Sequence, residues 1–220
     1  MPTEPDRTRA RQLANESFAQ GDPTGWFEHL YQEAERGTAV LPWADLRPNP
    51  NLLSWWDLKP GVTLADRSAL VVGCGLGDDA EQLADWGALV TAFDVAPTAI
   101  ESARKRFPET RVNYQAADLL HPPEAYALQF DFVFESYTLQ ALPLDVRAKA
   151  IRNVASFVAP SGALLIVARG RDSSDPPGEM PWPLSPDELA EFERLGLLKI
   201  SWEDYMEGET RRFRVLYRRL

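Results

Sequence analysis

The residues with the clearest chemical use are glycines and acids placed at strand ends. Gly73-Cys74-Gly75-Leu76-Gly77 follows the apolar run Ala69 to Val72 and precedes a helix-prone segment beginning at Asp78. Glycines at that density let the backbone approach a ligand where side chains would collide. The helix start behind them offers free N–H groups and partial positive charge to a carboxylate or phosphate. The same cluster can also serve a plain tight turn. Dinucleotide sites usually space their glycines Gly-x-Gly-x-x-Gly, whereas here the third glycine comes one position early. Asp94 lies 94 − 73 = 21 positions after the first glycine. That is about the ~20 at which a carboxylate meets ribose hydroxyls, although Asp94 could instead cap the helix that begins at Pro97. Asp118, in Gln115-Ala116-Ala117-Asp118-Leu119, suits an exocyclic amine of adenine, or is a solvated turn residue.

These groups need elements to hold them. From Ser68 the chain alternates short apolar strands with amphipathic helices: strands at Ala69 to Val72, Ala88 to Phe93, Val112 to Tyr114, Phe130 to Phe134 and Ala163 to Ala168. Helices are expected over Asp78 to Trp86, from Pro97, and through Val146 to Phe157, the last ended by Pro160-Ser161-Gly162. Alternation of this kind predicts a parallel sheet covered on both faces. After a helix near Pro186 to Leu195, the segments Leu198 to Tyr205 and Arg212 to Tyr217 flank Glu207-Gly208-Glu209, the spacing of an antiparallel hairpin. The predicted fold is α/β: a doubly wound, mostly parallel seven-stranded sheet ending in that hairpin. Upstream, a polar helix-prone stretch ends at Gly21-Asp22-Pro23, and Thr24 could cap a second helix through Glu35 with Trp26, Phe27, Leu30, Tyr31 and Ala34 on one face. Pro42, Pro48 and Pro50 then break the chain around Trp43. The organisation expected is an N-terminal helical and extended lid over residues 1–60 and one compact unit over 61–220.

Composition sets limits. The chain has 220 residues, enough to bury a sizeable core without disulfide or metal staples. Lys plus Arg number 23 and Asp plus Glu 33, a net charge of −10 that disfavours nucleic acid and anionic membrane surfaces as partners. Arg211, Arg212, Arg214, Arg218 and Arg219 read as a solvated strand face. One cysteine and two histidines leave no basis for a disulfide framework or a thiolate or histidine metal cluster. Met1 to Asp6 lacks the apolar run of a signal peptide and no apolar stretch approaches ~20 residues, so a cytoplasmic setting is expected.

Val71-Val72-Gly73-Cys74-Gly75-Leu76-Gly77, Asp94, Asp118 and Phe130-Asp131-Phe132-Val133-Phe134 together resemble the successive motifs of class I S-adenosylmethionine-dependent methyltransferases, over about residues 66 to 220. The chain departs from many members by carrying Val71 where they have an acid two residues before the first glycine. Trp26, Leu41-Pro42-Trp43-Ala44-Asp45, Pro48 and Leu52 resemble the N-terminal lid of the thiopurine and halide/thiol branch, with Ala44 interrupting its Pro-Trp-Asp element. Ser136-Tyr137-Thr138, Pro176-Pro177 and Pro183-Leu184-Ser185-Pro186 are similar to that branch as well. The resemblance implies S-adenosyl-L-methionine as cofactor, S-adenosyl-L-homocysteine as product, no metal, and a small-molecule acceptor. It places Trp26, Trp43, Gly73, Cys74, Gly75, Gly77, Asp94, Val95, Asp118, Leu119, Glu135 and Ser136 around the cofactor. Trp26 and Trp43 could equally be ordinary core packing.

Methyl transfer from a sulfonium is an in-line displacement in which positioning can contribute about 7–11 kcal/mol. A thiol or related soft acceptor needs no general base, whereas an oxygen or amine acceptor does. Glu135, Tyr137 and His29 are the candidates for that base, with His29 otherwise a surface helix residue. Tyr137, Arg169 and Arg171 are the candidate acceptor contacts; the two arginines also read as a solvated loop pair. Three readings follow: a small-molecule methyltransferase with a thiol-type or else an O- or N-acceptor, a nicotinamide-dependent oxidoreductase, and a non-catalytic adenosylmethionine-binding protein. Against the oxidoreductase stand the glycine spacing, the terminal hairpin and the lack of a Tyr-x-x-x-Lys pair, since Ala141 follows Tyr137 four positions on. A monomer or small homo-oligomer is expected.

Overall fold

A computed structural model describes residues 7–58 and 63–220. Seven strands form one sheet in the order β3-β2-β1-β4-β5-β7-β6. Strands β1 (Ser68–Val72), β2 (Leu89–Asp94), β3 (Asn113–Ala116), β4 (Phe130–Ser136) and β5 (Val158–Arg169) run parallel. The last two, β6 (Leu197–Glu207) and β7 (Thr210–Arg219), form an antiparallel hairpin, with β7 also antiparallel to β5. The mostly parallel sheet closed by a hairpin is therefore what this chain builds.

Side chains on each strand alternate between two cores, as a period of two requires. Leu70, Val72, Val133, Leu164 and Ile166 face Ile151 and Val154 of α6 (Leu144–Phe157) and Leu189 and Phe192 of α7 (Pro186–Arg194). Their neighbours Ala69, Val71, Phe134, Leu165 and Val167 face α3 (Pro50–Asp57), α4 (Asp78–Asp85) and α5 (Pro97–Arg106) through Leu52, Trp55, Leu83 and Ile100. Helix α7 starts on a capping box: the Ser185 hydroxyl accepts from the Glu188 amide while the Glu188 carboxylate accepts from the Ser185 amide.

Helices α1 (Thr8–Ala19) and α2 (Gly25–Glu35) form a third layer with a core of their own, made of Ala10, Leu13, Ala14, Trp26, Leu30 and Met180. Tyr31 joins it to α5 through Ala96 and Ala99. Helix α3 behaves differently, sending Leu52 and Trp55 into the sheet's own core. The expected boundary between residues 60 and 61 lies outside the described residues, as does the Met1 to Asp6 segment.

Three local expectations are corrected. The β7 arginines are not all a solvated face, since Arg214 is buried and bonds Glu203, Asn51 O and Ser54 Oγ. Thr24 makes no side-chain cap; Asp22 Oδ1 accepts from the amides of Thr24 at 3.0 Å and Gly25 at 2.8 Å. A carboxylate two and three residues upstream reaches these amides in an Asx turn. Helix α6 ends at Phe157 and passes directly into β5, so Pro160-Ser161-Gly162 lies within the strand. The register shifts between Phe130↔Val158 and Phe132↔Ala163, and Ser161, at φ 62°, takes up the extra length.

Candidate functional site

Register aligns the strand ends. Val72 of β1 pairs with Phe93 of β2 and Glu135 of β4, so Gly73, Asp94 and Ser136 are the next residues along three adjacent parallel strands. In an open α/β sheet this carboxyl edge is where ligands bind. The glycine loop turns there on left-handed backbone: Gly73 has φ 63° and Gly77, the residue before α4, has φ 92°. A Cβ on Gly73 would run into the Thr138 hydroxyl, and one on Gly77 into the Tyr114 hydroxyl. Both conformation and space therefore demand glycine. The loop is pinned by Cys74 N donating to Phe93 O at 2.9 Å and Gly77 N to Cys74 O at 3.0 Å.

Asp94, only 6% exposed, closes the second side. Its Oδ2 accepts from Gly75 N at 2.9 Å and its Oδ1 from Ala96 N at 3.0 Å. Burial pushes its carboxyl up to about 6 while those amide bonds oppose the shift. The helix-cap reading does not hold: Ala96 precedes α5 with no side-chain cap, and Asp94 instead ties the glycine loop to the turn after β2. Each carboxylate oxygen keeps a second lone pair for a ligand. Val95 follows, half-buried. Asp118 forms a local turn, with Oδ1 accepting from Leu120 N at 2.8 Å and Oδ2 2.8 Å from His121 Nδ1, while Leu119 is buried in the core against α6. Cys74 is not an activated thiol, since burial pushes it well above its ordinary range.

Beyond β4 the chain makes a tight corner. Tyr137 is held at φ 65°, a strained value for a bulky side chain and of the kind that collects at functional sites. Its hydroxyl accepts from Asn51 Nδ2 at 3.1 Å, Arg212 stacks 4.8 Å from its ring, and burial pushes the phenol up. Ser136 Oγ accepts from Asn49 Nδ2 at 2.6 Å, and Asn49 N donates to Asp79 Oδ1 at 2.7 Å. Burial raises Asp79 to about 6. From the hairpin, the Tyr205 hydroxyl donates to Asn51 Oδ1 and Asn51 Nδ2 reaches Glu207 Oε1 at 3.3 Å. Asn49, Asn51, Asp79 and Tyr205 thus crowd the same corner.

Glu135 sits beneath it, fully buried on the α6 side of the sheet. Its Oε1 accepts from the amides of Thr138 at 2.8 Å and Leu139 at 2.9 Å, its Oε2 has no protein partner, and burial raises it to about 7. Arg147 lies close enough to oppose that rise and bonds Glu188 Oε1 at 2.7 Å and Leu142 O at 3.1 Å.

Of the residues singled out by sequence, the glycine loop, Asp94, Ser136 and Tyr137 meet at one edge. Trp43 joins them through Tyr31, whose hydroxyl accepts from Trp43 Nε1 at 3.0 Å. Trp26, 1% exposed, is stacked on Phe27 at 3.8 Å within the core of the α1–α2 layer. Arg171 is committed to the loop before α7, bonding Pro183 O at 3.2 Å, Asp175 O at 2.8 Å and Glu188 Oε2 at 3.1 Å. Arg169 stands opposite Arg212 in the β5–β7 register, with its amide donating to Gln140 Oε1 at 2.7 Å. His29 is exposed on α2. The sequence reading passed over Asn49, Asn51, Asp79 and Tyr205, and treated Tyr31 only as part of an apolar helix face. Among the described residues no group of three or more His, Cys, Asp or Glu is placed to hold a metal, and no helix is long and apolar enough to cross a membrane.

Known proteins extend this picture. Residues 69–162 match the family described as a methyltransferase domain. The chain is 27% identical over 171 residues to the 2-heptyl-1-hydroxyquinolin-4(1H)-one methyltransferase of Mycobacteroides abscessus, covering 76% of this chain and 73% of that protein. It is 31% identical over 113 residues to the ubiquinone biosynthesis O-methyltransferase of Coxiella burnetii, where it spans about half of this chain and 47% of the relative. In fold it matches the N-methyltransferase NodS of Bradyrhizobium japonicum, solved with S-adenosyl-L-homocysteine, at a TM-score of 0.65 and 23% identity over 86% of this chain and 98% of that one.

Proposed function

We propose, on the premise that this chain is a class I S-adenosylmethionine-dependent methyltransferase, that its acceptor is a small molecule bringing its own nucleophile, a thiol or related soft species first. The observation that carries this reading is the state of the candidate bases. Glu135 is enclosed and spends one oxygen on capping two amides. Tyr137 is pushed up by burial, and His29 faces outward. A thiol with a pKa near ~8.5 supplies some thiolate at neutral pH unaided.

The glycine loop, Asp94 and Asp118 would hold the cofactor, with Val95, Leu119, Ser136 and Trp43 around it. The cradle fits: its backbone turns where Cβ atoms would intrude, and Asp94 presents acceptor oxygens at about the distance in sequence that a ribose requires. When bound, S-adenosyl-L-methionine supplies an electrophilic methyl on a cationic sulfur. The protein's share is orientation and exclusion of water. Tyr137, fixed by its strained corner and by Asn51, would direct the acceptor along the line of attack. Trp43 and Tyr137 would keep water away from the sulfonium, which gives up its charge together with the methyl group. A dry aromatic wall favours that loss of charge. Asp79 supports a second reading, O- or N-methylation, because a carboxylate raised to about 6 beside Asn49 and Ser136 could accept an acceptor's proton.

A panel of thiols, iodide, phenols and amines, scored by release of S-adenosyl-L-homocysteine, tests the assignment. Thiols are expected to turn over fastest and to retain their rate in Glu135→Gln and Asp79→Asn. Turnover confined to phenols or amines, and lost in Asp79→Asn, overturns the thiol acceptor in favour of the second reading.

A further inference from the structure

Tyr31 is 3% exposed, and its hydroxyl oxygen lies 3.0 Å from the position a Cβ on Gly75 would occupy. It is therefore seated over the middle of the glycine loop. Trp43 Nε1 donates to that oxygen at 3.0 Å, and the two rings meet edge to face at 6.0 Å. Among the described residues the phenol's own proton has no acceptor. A buried O–H donor left unused beside a ligand cradle is uncommon, because buried polar groups are normally satisfied.

We infer that Tyr31 donates this proton to the carboxylate at the amino-acid end of the cofactor, and that Trp43 fixes the direction in which it donates. The inference rests on the reading that the glycine loop holds the cofactor. Chemistry divides the work at the loop. Asp94, an acceptor when ionised, suits hydroxyl donors and repels a carboxylate. Tyr31 is kept protonated by burial and by the Asp94 charge, so it presents a permanent donor to an anion. The first turn of α4, which follows the loop directly, has no side-chain cap on its amides. Trp43 occupies the phenol oxygen from one side, leaving the proton to point elsewhere.

The test compares S-adenosyl-L-homocysteine with 5′-methylthioadenosine, which keeps the adenosine and lacks the amino-acid end, by calorimetry on the full chain. Tyr31→Phe is expected to weaken the first about ten- to hundredfold, the loss of one hydrogen bond to a charged group, and to leave the second within twofold. Equal loss for both ligands, or no loss for either, overturns the inference. A wild-type chain that binds neither ligand overturns the cofactor-site reading and the inference with it. The methyl ester of S-adenosyl-L-homocysteine keeps the test independent of how Tyr31→Phe folds. Wild-type protein should lose affinity for the ester by a similar factor, and the ester and Tyr31→Phe losses should not add. Full affinity of wild type for the ester sinks the proposal. Quenching of Trp43 emission by S-adenosyl-L-homocysteine, absent with 5′-methylthioadenosine, is the expected optical signature, read as the difference between wild type and Trp43→Phe; equal quenching by both ligands counts against the assignment.

Discussion

The glycine loop and the α1–α2 layer meet where Tyr31 approaches Gly75, but they are held by different forces. At the loop, each functional group is fixed by backbone: Asp94 by the Gly75 and Ala96 amides, Glu135 by those of Thr138 and Leu139. The strands beneath it carry side chains that are buried on both faces of a continuous sheet. In the α1–α2 layer, the hold comes from aromatic packing around Trp26 and Leu30, and the Trp26 Nε1 is buried without a partner. Its polar attachments to the rest run through side chains. Glu28 accepts from Thr98 N and Oγ1 at 3.1 and 2.6 Å, Lys105 meets Glu35 at 2.7 Å, and Arg11 Nε donates to Met180 O at 2.8 Å. A layer joined by side chains can lift while the frame stays intact. That division suits a reaction needing a rigid cradle and a removable cover.

The largest test of the contrast is a matched truncation. Leu165→Ala in the sheet core should lower the global unfolding free energy by about 2–5 kcal/mol. Leu30→Ala in the lid, from an equally buried side chain, should instead speed hydrogen exchange over residues 8–35 while changing the global urea midpoint much less. Adding S-adenosyl-L-homocysteine should restore protection there. Equal effects of both truncations on the global midpoint would merge the two regions into one cooperative unit.

A second test concerns Glu135, whose carboxyl is raised by burial from 4.5 to about 7. With the folded value above the unfolded one, the native state holds its proton while the unfolded chain releases it. Stability is therefore highest below the unfolded value and declines as pH rises from about 4.5 to about 7, by roughly 3 kcal/mol for this group. Glu135→Gln keeps an acceptor oxygen for the Thr138 and Leu139 amides and should flatten that decline in urea titrations at pH 5 and pH 8. Asp79 and Asp94, both raised to about 6, would leave a residual slope of the same sign. An unchanged slope in the variant would place the titration elsewhere.

The smallest effect is expected at the lid's surface. Arg9 and Glu33 pair across α1 and α2 at the half-buried rim, where side-chain entropy and screening offset much of the attraction. Arg9→Ala should leave both the thermal midpoint and the exchange of the lid unchanged. Loosening of the lid in that variant would mean that its charges, rather than its aromatic core, hold it down.

Sequence made the frame visible because strand and helix periods are local. The short apolar runs ended at the glycine and the acid where β1 and β2 do end, whereas β4 runs two residues past the expected Phe134; the Gly208 turn marked the hairpin. The corner after β4 was less visible. Asn49 and Asn51 flank Pro50 without any period, and their meaning comes from Ser136, Tyr137 and Tyr205, up to 154 positions away. Tyr31 belongs to the apolar stripe that begins at Trp26, so spacing alone cannot reveal that its hydroxyl reaches Gly75. Asp22 displaced Thr24 as the helix cap because side-chain reach, not proximity to the helix, decides which oxygen meets the amides.

The β6–β7 hairpin turns on two residues, Gly208 and Glu209, between paired Glu207 and Thr210. Tyr205 and Glu207 are two apart, so both project to the same side and both reach Asn51. Met206 points the other way. A one-residue slip of β6 against β7 would exchange the phenol and carboxylate at Asn51 for a thioether. The hairpin tip is thus an interchangeable cartridge: an insertion or deletion there would re-equip the corner around Asn51 in a single evolutionary step while the five parallel strands and their glycine loop stayed as they are.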